Sequence, residues 1–238
     1  MAITKINPYG PQWDIYADTS PFRWYDAVGQ NVTKFEALVG DTPTTAERYT
    51  LTVTGSTPTV AGATTIGDRL LLTTVAAEYS GVNLQTVGTP FAFASNKPLY
   101  FGGKLTMGRT DMDLLFGLYK TQTAMMATSS AHALAATGDG FYFYKLAGAT
   151  TIFAGAEIAG AQKAATLATA MDTSAHTYEF IWDGNTTLSA YFDGALVSTI
   201  TSGFSAVSTV LCPSINVRTG AGGLSTCKVA WWKVIQLA

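Results

Sequence analysis

The chain has 238 residues, a formal net charge of −2, and only 13% charged residues, roughly half the usual globular share. A chain of this length holds one large sandwich with a well-buried core, or one domain plus a tail. No nucleic-acid or membrane partner is expected: phosphate binding needs a surplus of Lys and Arg, and no apolar run approaches the ~20 residues that span a bilayer.

The opening MAITKINPYGPQW has no charged region followed by an apolar one, so it does not read as a secretory leader. Residues 1–65 differ from the rest. Pro8, Pro11, Pro21, Pro43 and Pro58 fall here, among Tyr9, Trp13, Tyr16, Phe22, Trp24, Tyr25 and Phe35. Proline breaks ladders and helices, whereas large aromatics demand burial. The combination predicts an extended N-terminal arm that lies across another surface. Thr33 with Glu36 forms a capping box and Gly40 a stop, which predicts a short helix near 33–40. Residues 50–54 (TLTVT) alternate like a strand.

From residue 66 to 238 the pattern is all-β. Strands are expected over 69–74, 83–87, 99–107, 114–120, 141–146, 151–158, 177–183, 188–192, 195–200, 210–217 and 228–237, with Gly, Pro, Asn or Asp in nearly every gap. So many short strands without helices between them mean a sandwich or barrel. Residues 124–137 read as a loop or helical turn. Residues 161–171 are Ala-rich, but their place before the next hairpin favours a strand or loop. Cys212 and Cys227 fall on the last two strands and are expected to be buried free thiols.

That next hairpin, AHTYEFIWDGNTTLSAYFDG over 175–194, alternates on both strands. Tyr178, Phe180 and Trp182 share one face, as do Leu188, Ala190 and Phe192, and Asp183-Gly184 and Asp193-Gly194 supply turns. His176, Thr177, Tyr178, Trp182, Tyr191, Phe192, Asp193 and Gly194 resemble the hairpin of concanavalin A-like sandwiches (laminin-G modules, family 16 glucanases, legume lectins). The closing KVAWWKVIQLA resembles the last strand of that fold. The resemblance covers roughly 66–238 and implies a concanavalin A-like jelly-roll sandwich.

No catalytic residue is expected. Family 16 glucanases carry a Glu-x-Asp-x-x-Glu strand, and retaining glycosidases need two carboxyls about 5 Å apart; this chain has no such motif. The nearest candidate is Asp111-Met112-Asp113, whose spacing puts both carboxylates on one strand face, although Arg109 and Thr110 suggest a turn entering a strand. Asp139, Glu157, Asp172 and Glu179 are isolated. The only two histidines, His132 and His176, form no cluster with zinc spacing; His176 reads as a structural strand-start residue. Lectins of this fold often bind calcium, but Asp183, Asn185 and Asp193 read as turn formers, and calcium needs six or more oxygens. No metal or other cofactor is expected. Trp182, Trp231 and Trp232 can stack on sugars, yet each sits in an alternating strand that suits core packing; Trp231 and Trp232 must point to opposite faces.

The whole chain resembles lectin-like structural proteins of tailed-bacteriophage virions. That resemblance implies a non-enzymatic capsid decoration or cement protein on the virion, assembled in the host cytoplasm. Its partners would be the major capsid protein and copies of itself, gripped by Trp13, Phe22 and Trp24 of the arm. The alternative is a carbohydrate-binding module, with Trp231 or Trp232 as the stacking residue.

Overall fold

A computed structural model describes residues 32–37 and 49–237, apart from 56, 63–69, 89–90, 128–130, 159–160 and 202–209. The described residues form fifteen strands and no helix. One sheet has eight strands. Its path runs β13 (Ala195–Ile200), β12 (Leu188–Phe192), β11 (Ala175–Trp182), β6 (Leu99–Met107), β15 (Thr226–Leu237), β4 (Leu70–Thr73), β3 (Thr59–Gly62), and β1 (Val32–Ala37) adds beside β15. The second sheet has seven: β10 (Ala161–Ala170), β9 (Thr151–Ile158), β8 (Gly140–Lys145), β7 (Met112–Lys120), β14 (Leu211–Thr219), β5 (Gly81–Thr86) and β2 (Tyr49–Thr54). Every pairing is antiparallel, and the two sheets make the expected all-β sandwich.

Period-2 alternation sends one face of each strand inward. Leu99, Phe101, Leu105, Tyr178, Phe180, Trp182, Val229, Trp232 and Val234 from the larger sheet meet Leu84, Leu114, Phe116, Phe141, Phe143 and Ile215 from the other in one core. Aromatic pairs bridge the layers. Phe143 stacks on Phe180 at 4.2 Å, and Phe101 meets Phe116 edge-on at 5.0 Å. Close approach dictates a glycine at Gly103, where a Cβ would stand 2.3 Å from the Phe116 ring.

Two expectations about the first 65 residues are corrected. The helix near 33–40 is strand β1 over Val32–Ala37, paired with β15 from Leu237 to Lys233. Val32, Thr33 and Phe35 suit a pleated ladder, and tertiary pairing outweighs a local capping signal. The sandwich also begins before residue 66. β2 is hydrogen-bonded to β5 and β3 to β4, and Tyr49 packs edge-on against Trp232 at 6.2 Å. Of the regions left open, 161–170 is strand β10 on β9, and in the other Met126 forms a bridge with Leu134. Cys212 and Cys227 are buried thiols that form no disulfide.

Candidate functional site

On the outer face of the seven-stranded sheet, the side chains between the core positions form a second cluster. Leu115 and Tyr119 of β7 and Tyr142 and Tyr144 of β8 pack against Met125, Met126 and Leu134 of the loop that follows β7. The loop is tied down by polar side chains from β5, β7 and β14. Asn83 Nδ2 donates to the Gln122 carbonyl at 2.9 Å, and Gln85 Nε2 to that of Lys120 at 3.0 Å. Arg218 donates to the carbonyls of Ala127 and Ala131.

Asp113 anchors the same arrangement and is fully buried. It receives Arg218 Nε at 3.0 Å and Nη2 at 2.7 Å, contacts His132 Nδ1 at 2.9 Å, and accepts the Ala147 amide at 2.7 Å. A buried carboxylate engaged by an arginine, a histidine and a backbone amide ties the loop to the sheet. Asp111 lies in the bend that enters β7, outside the strand that carries Asp113.

Between loop and sheet lies a cleft of about 350 Å³, lined by Ala133, Leu134, Ala135, Ala136, Tyr144, Leu146 and Glu157. Glu157 projects from β9 and accepts a hydrogen bond from the Tyr142 hydroxyl at 3.0 Å. Burial, then the Glu157 charge, pushes the Tyr142 and Tyr119 hydroxyls above the usual tyrosine range, so both stay protonated. Tyr144 stacks on the half-buried Phe153 at 5.0 Å with 17° between the rings. The cleft is therefore lined by one carboxylate and one tyrosine, both largely buried, among alanines and two half-buried leucines; Glu157 is the only carboxylate among its lining residues. Nothing in the sequence marked Glu157, because its partner comes from the neighbouring strand.

The hairpin singled out by sequence is tied together on the other sheet. His176 Nδ1 meets Asp193 Oδ2 at 2.6 Å and Nε2 meets Asp172 Oδ1 at 2.9 Å. Its ring stacks on Phe192 at 4.7 Å, and Asp193 Oδ1 accepts the Thr177 amide at 2.8 Å. Burial pulls the His176 pKa down, but hydrogen bonds to Asp193 and Asp172 together hold it above the ordinary value. Asp183 Oδ1 accepts the amides of Asn185, Thr186 and Thr187, which accounts for it as a turn former. Among the described residues, no three His, Cys, Asp or Glu side chains are grouped to hold a metal ion.

Trp182 and Trp232 are each 1% exposed within the core. Trp232 therefore has no free ring face, which corrects its candidacy as a sugar platform. Trp231, one residue away, stands half-buried on the outer face of the eight-stranded sheet. Trp13, Phe22 and Trp24 lie outside the described residues.

Solved structures share this architecture at low sequence identity. The carbohydrate recognition domain of Emp46p in its potassium-bound form matches with a TM-score of 0.58 and 11% identity, over 83% of this chain and 95% of that one. That of Emp47p matches with a TM-score of 0.57 and 9% identity, over 85% and 96%. A beta-1,3-glucanase from Mycobacterium marinum matches with a TM-score of 0.52 and 14% identity, over 82% and 94%. This is the concanavalin A-like sandwich fold. It serves both lectin domains and glycoside hydrolases, so the fold alone does not select between them. No protein-family model matches the chain, and no curated protein matches it.

Proposed function

We propose that this chain is a non-enzymatic, lectin-like recognition module that takes a glycan in the cleft beside Glu157. The lining of that cleft carries the reading. One carboxylate oriented by a tyrosine hydroxyl suits sugar hydroxyls, and the half-buried Leu134 and Leu146 side chains suit the apolar face of a pyranose. Hydrolysis by the usual glycosidase routes needs a second carboxylate, and none lines the cleft. The carbohydrate recognition domains among the similar folds support this reading through architecture only. The test is an array of immobilised glycans probed with the whole chain, alongside a reducing-sugar assay on laminarin and lichenan. Binding of a defined glycan class without release of sugar is expected. Reducing sugar released by wild-type chain and lost in Glu157→Gln would make it a hydrolase instead.

A structural role on a tailed-phage shell, with the major capsid protein and copies of this chain as partners, is the second reading. Two observations favour it: the low charge, since charge is depleted at interface cores, and β1, which places the start of the described chain at a sheet edge. Purified particles that carry the chain in regular copy number would support this role; its absence from particles would dismiss it.

A further inference from the structure

The centre of the outer face of the eight-stranded sheet is buried, yet no described strand is layered on it. Tyr100 and Gly102 of β6, Thr177 and Glu179 of β11, and Trp231 and Ile235 of β15 all point away from the core, as their registers with Phe101, Tyr178 and Trp232 require. Tyr100 is 4% exposed, Thr177 1%, Glu179 2% and Ile235 0%. All fifteen described strands belong to the two sheets, so no third layer among the described residues accounts for that burial. The face also has unmet polar demands. Glu179 Oε1 accepts the Tyr100 hydroxyl at 2.8 Å, but Oε2 has no hydrogen-bond partner, and neither has Trp231 Nε1. An acceptor and a donor, both withdrawn from water, call for a neighbour with backbone or hydroxyl groups.

We infer that this face is a docking surface and that its occupant is the chain's own residues 1–31. Reach favours them. β1 lies along β15, three strand spacings or about 15 Å from β11, and thirty-one residues can extend about 100 Å. Composition favours them too. Tyr9, Trp13, Tyr16, Phe22, Trp24 and Tyr25 need an apolar seat, and Pro8, Pro11 and Pro21 suit an extended strap rather than another strand. The inference is independent of the glycan reading, which concerns the opposite sheet. It also bears on shell attachment, because arm aromatics seated on their own sandwich are not free to grip a neighbour.

Photo-crosslinking of the whole chain tests it. Tyr191 lies opposite Glu179 on β12 and is half-exposed, so p-benzoylphenylalanine replaces it with little change of shape. The expected product has monomer mass, with Tyr191's position joined to a peptide within residues 1–31, and the yield does not depend on protein concentration. Isotope-mixed chains show that both ends come from one molecule. A dimer-mass product, a crosslink to any other segment, or no crosslink overturns the inference. A second readout is the Glu179 carboxyl in a chain lacking residues 1–31. Its titration midpoint falls from about 7 toward 4.5 if the segment is the cover, and stays if it is not.

Discussion

Glu179→Gln is expected to stabilise the protein at neutral pH and to leave it unchanged in mild acid. Burial raises the Glu179 pKa from 4.5 to about 7; the Tyr100 hydrogen bond opposes the rise and the Asp193 charge adds to it. A carboxyl whose folded pKa lies above its unfolded value binds its proton more tightly when folded. Stability is therefore greatest below 4.5 and falls as pH rises through the folded value. At about 1.4 kcal/mol per unit, that difference costs about 3 kcal/mol above pH 7, as an order of magnitude. Glutamine reproduces the protonated form: its oxygen still accepts from Tyr100, and its amide stands where Oε2 already lacks a partner. Urea midpoints of wild type and variant, measured from near pH 4 to near pH 8, should coincide at the acid end and diverge by about 3 kcal/mol at the other. Parallel curves would refute the reasoning, because Glu179 would then titrate alike in folded and unfolded chains.

Other outcomes follow from the same packing. Trp182→Ala should cost about 3–5 kcal/mol in urea unfolding, the usual loss for a buried large aromatic, and an unchanged midpoint would place Trp182 at the surface. Gly103→Ala should cost about 1–3 kcal/mol, because its Cβ would stand 2.3 Å from the Phe116 ring; a neutral effect would mean that the sheets can part there. His176, held above 6.5 by Asp193 and Asp172, contributes stability that is complete below 6.5 and lost as pH rises through its folded value. In a Glu179→Gln background, His176→Gln should therefore flatten the remaining fall in stability as pH rises above 6.5, and an unaltered slope would assign that fall elsewhere.

The strands with strong alternation were legible in the sequence to the residue: β6, β9, β12 and β13 begin and end where the pattern does. The hairpin around His176 was legible because its contacts are local, with Asp193 only 17 residues on. β1 was hidden by a capping box that mimics a helix start, and β3 is four residues long and follows Pro58. Both are fixed by β15 and β4, partners that no local window contains. The loop clamp was illegible for the same reason, since Asp113 and Arg218 are 105 residues apart. Adjacent Trp231 and Trp232 were correctly assigned to opposite faces, but which one enters the core depends on the irregularity between Val229 and Trp231. The cleft combines a loop with two strands, and no spacing in the chain announces it.

The most direct test of glycan recognition through Glu157 is the dissociation constant of the tightest array ligand for wild-type chain and for Glu157→Gln, measured by calorimetry. Loss of a charged hydrogen bond predicts a roughly 10- to 100-fold weaker complex with an unchanged unfolding midpoint. Equal constants for the two proteins would contradict the account and move the ligand away from the cleft.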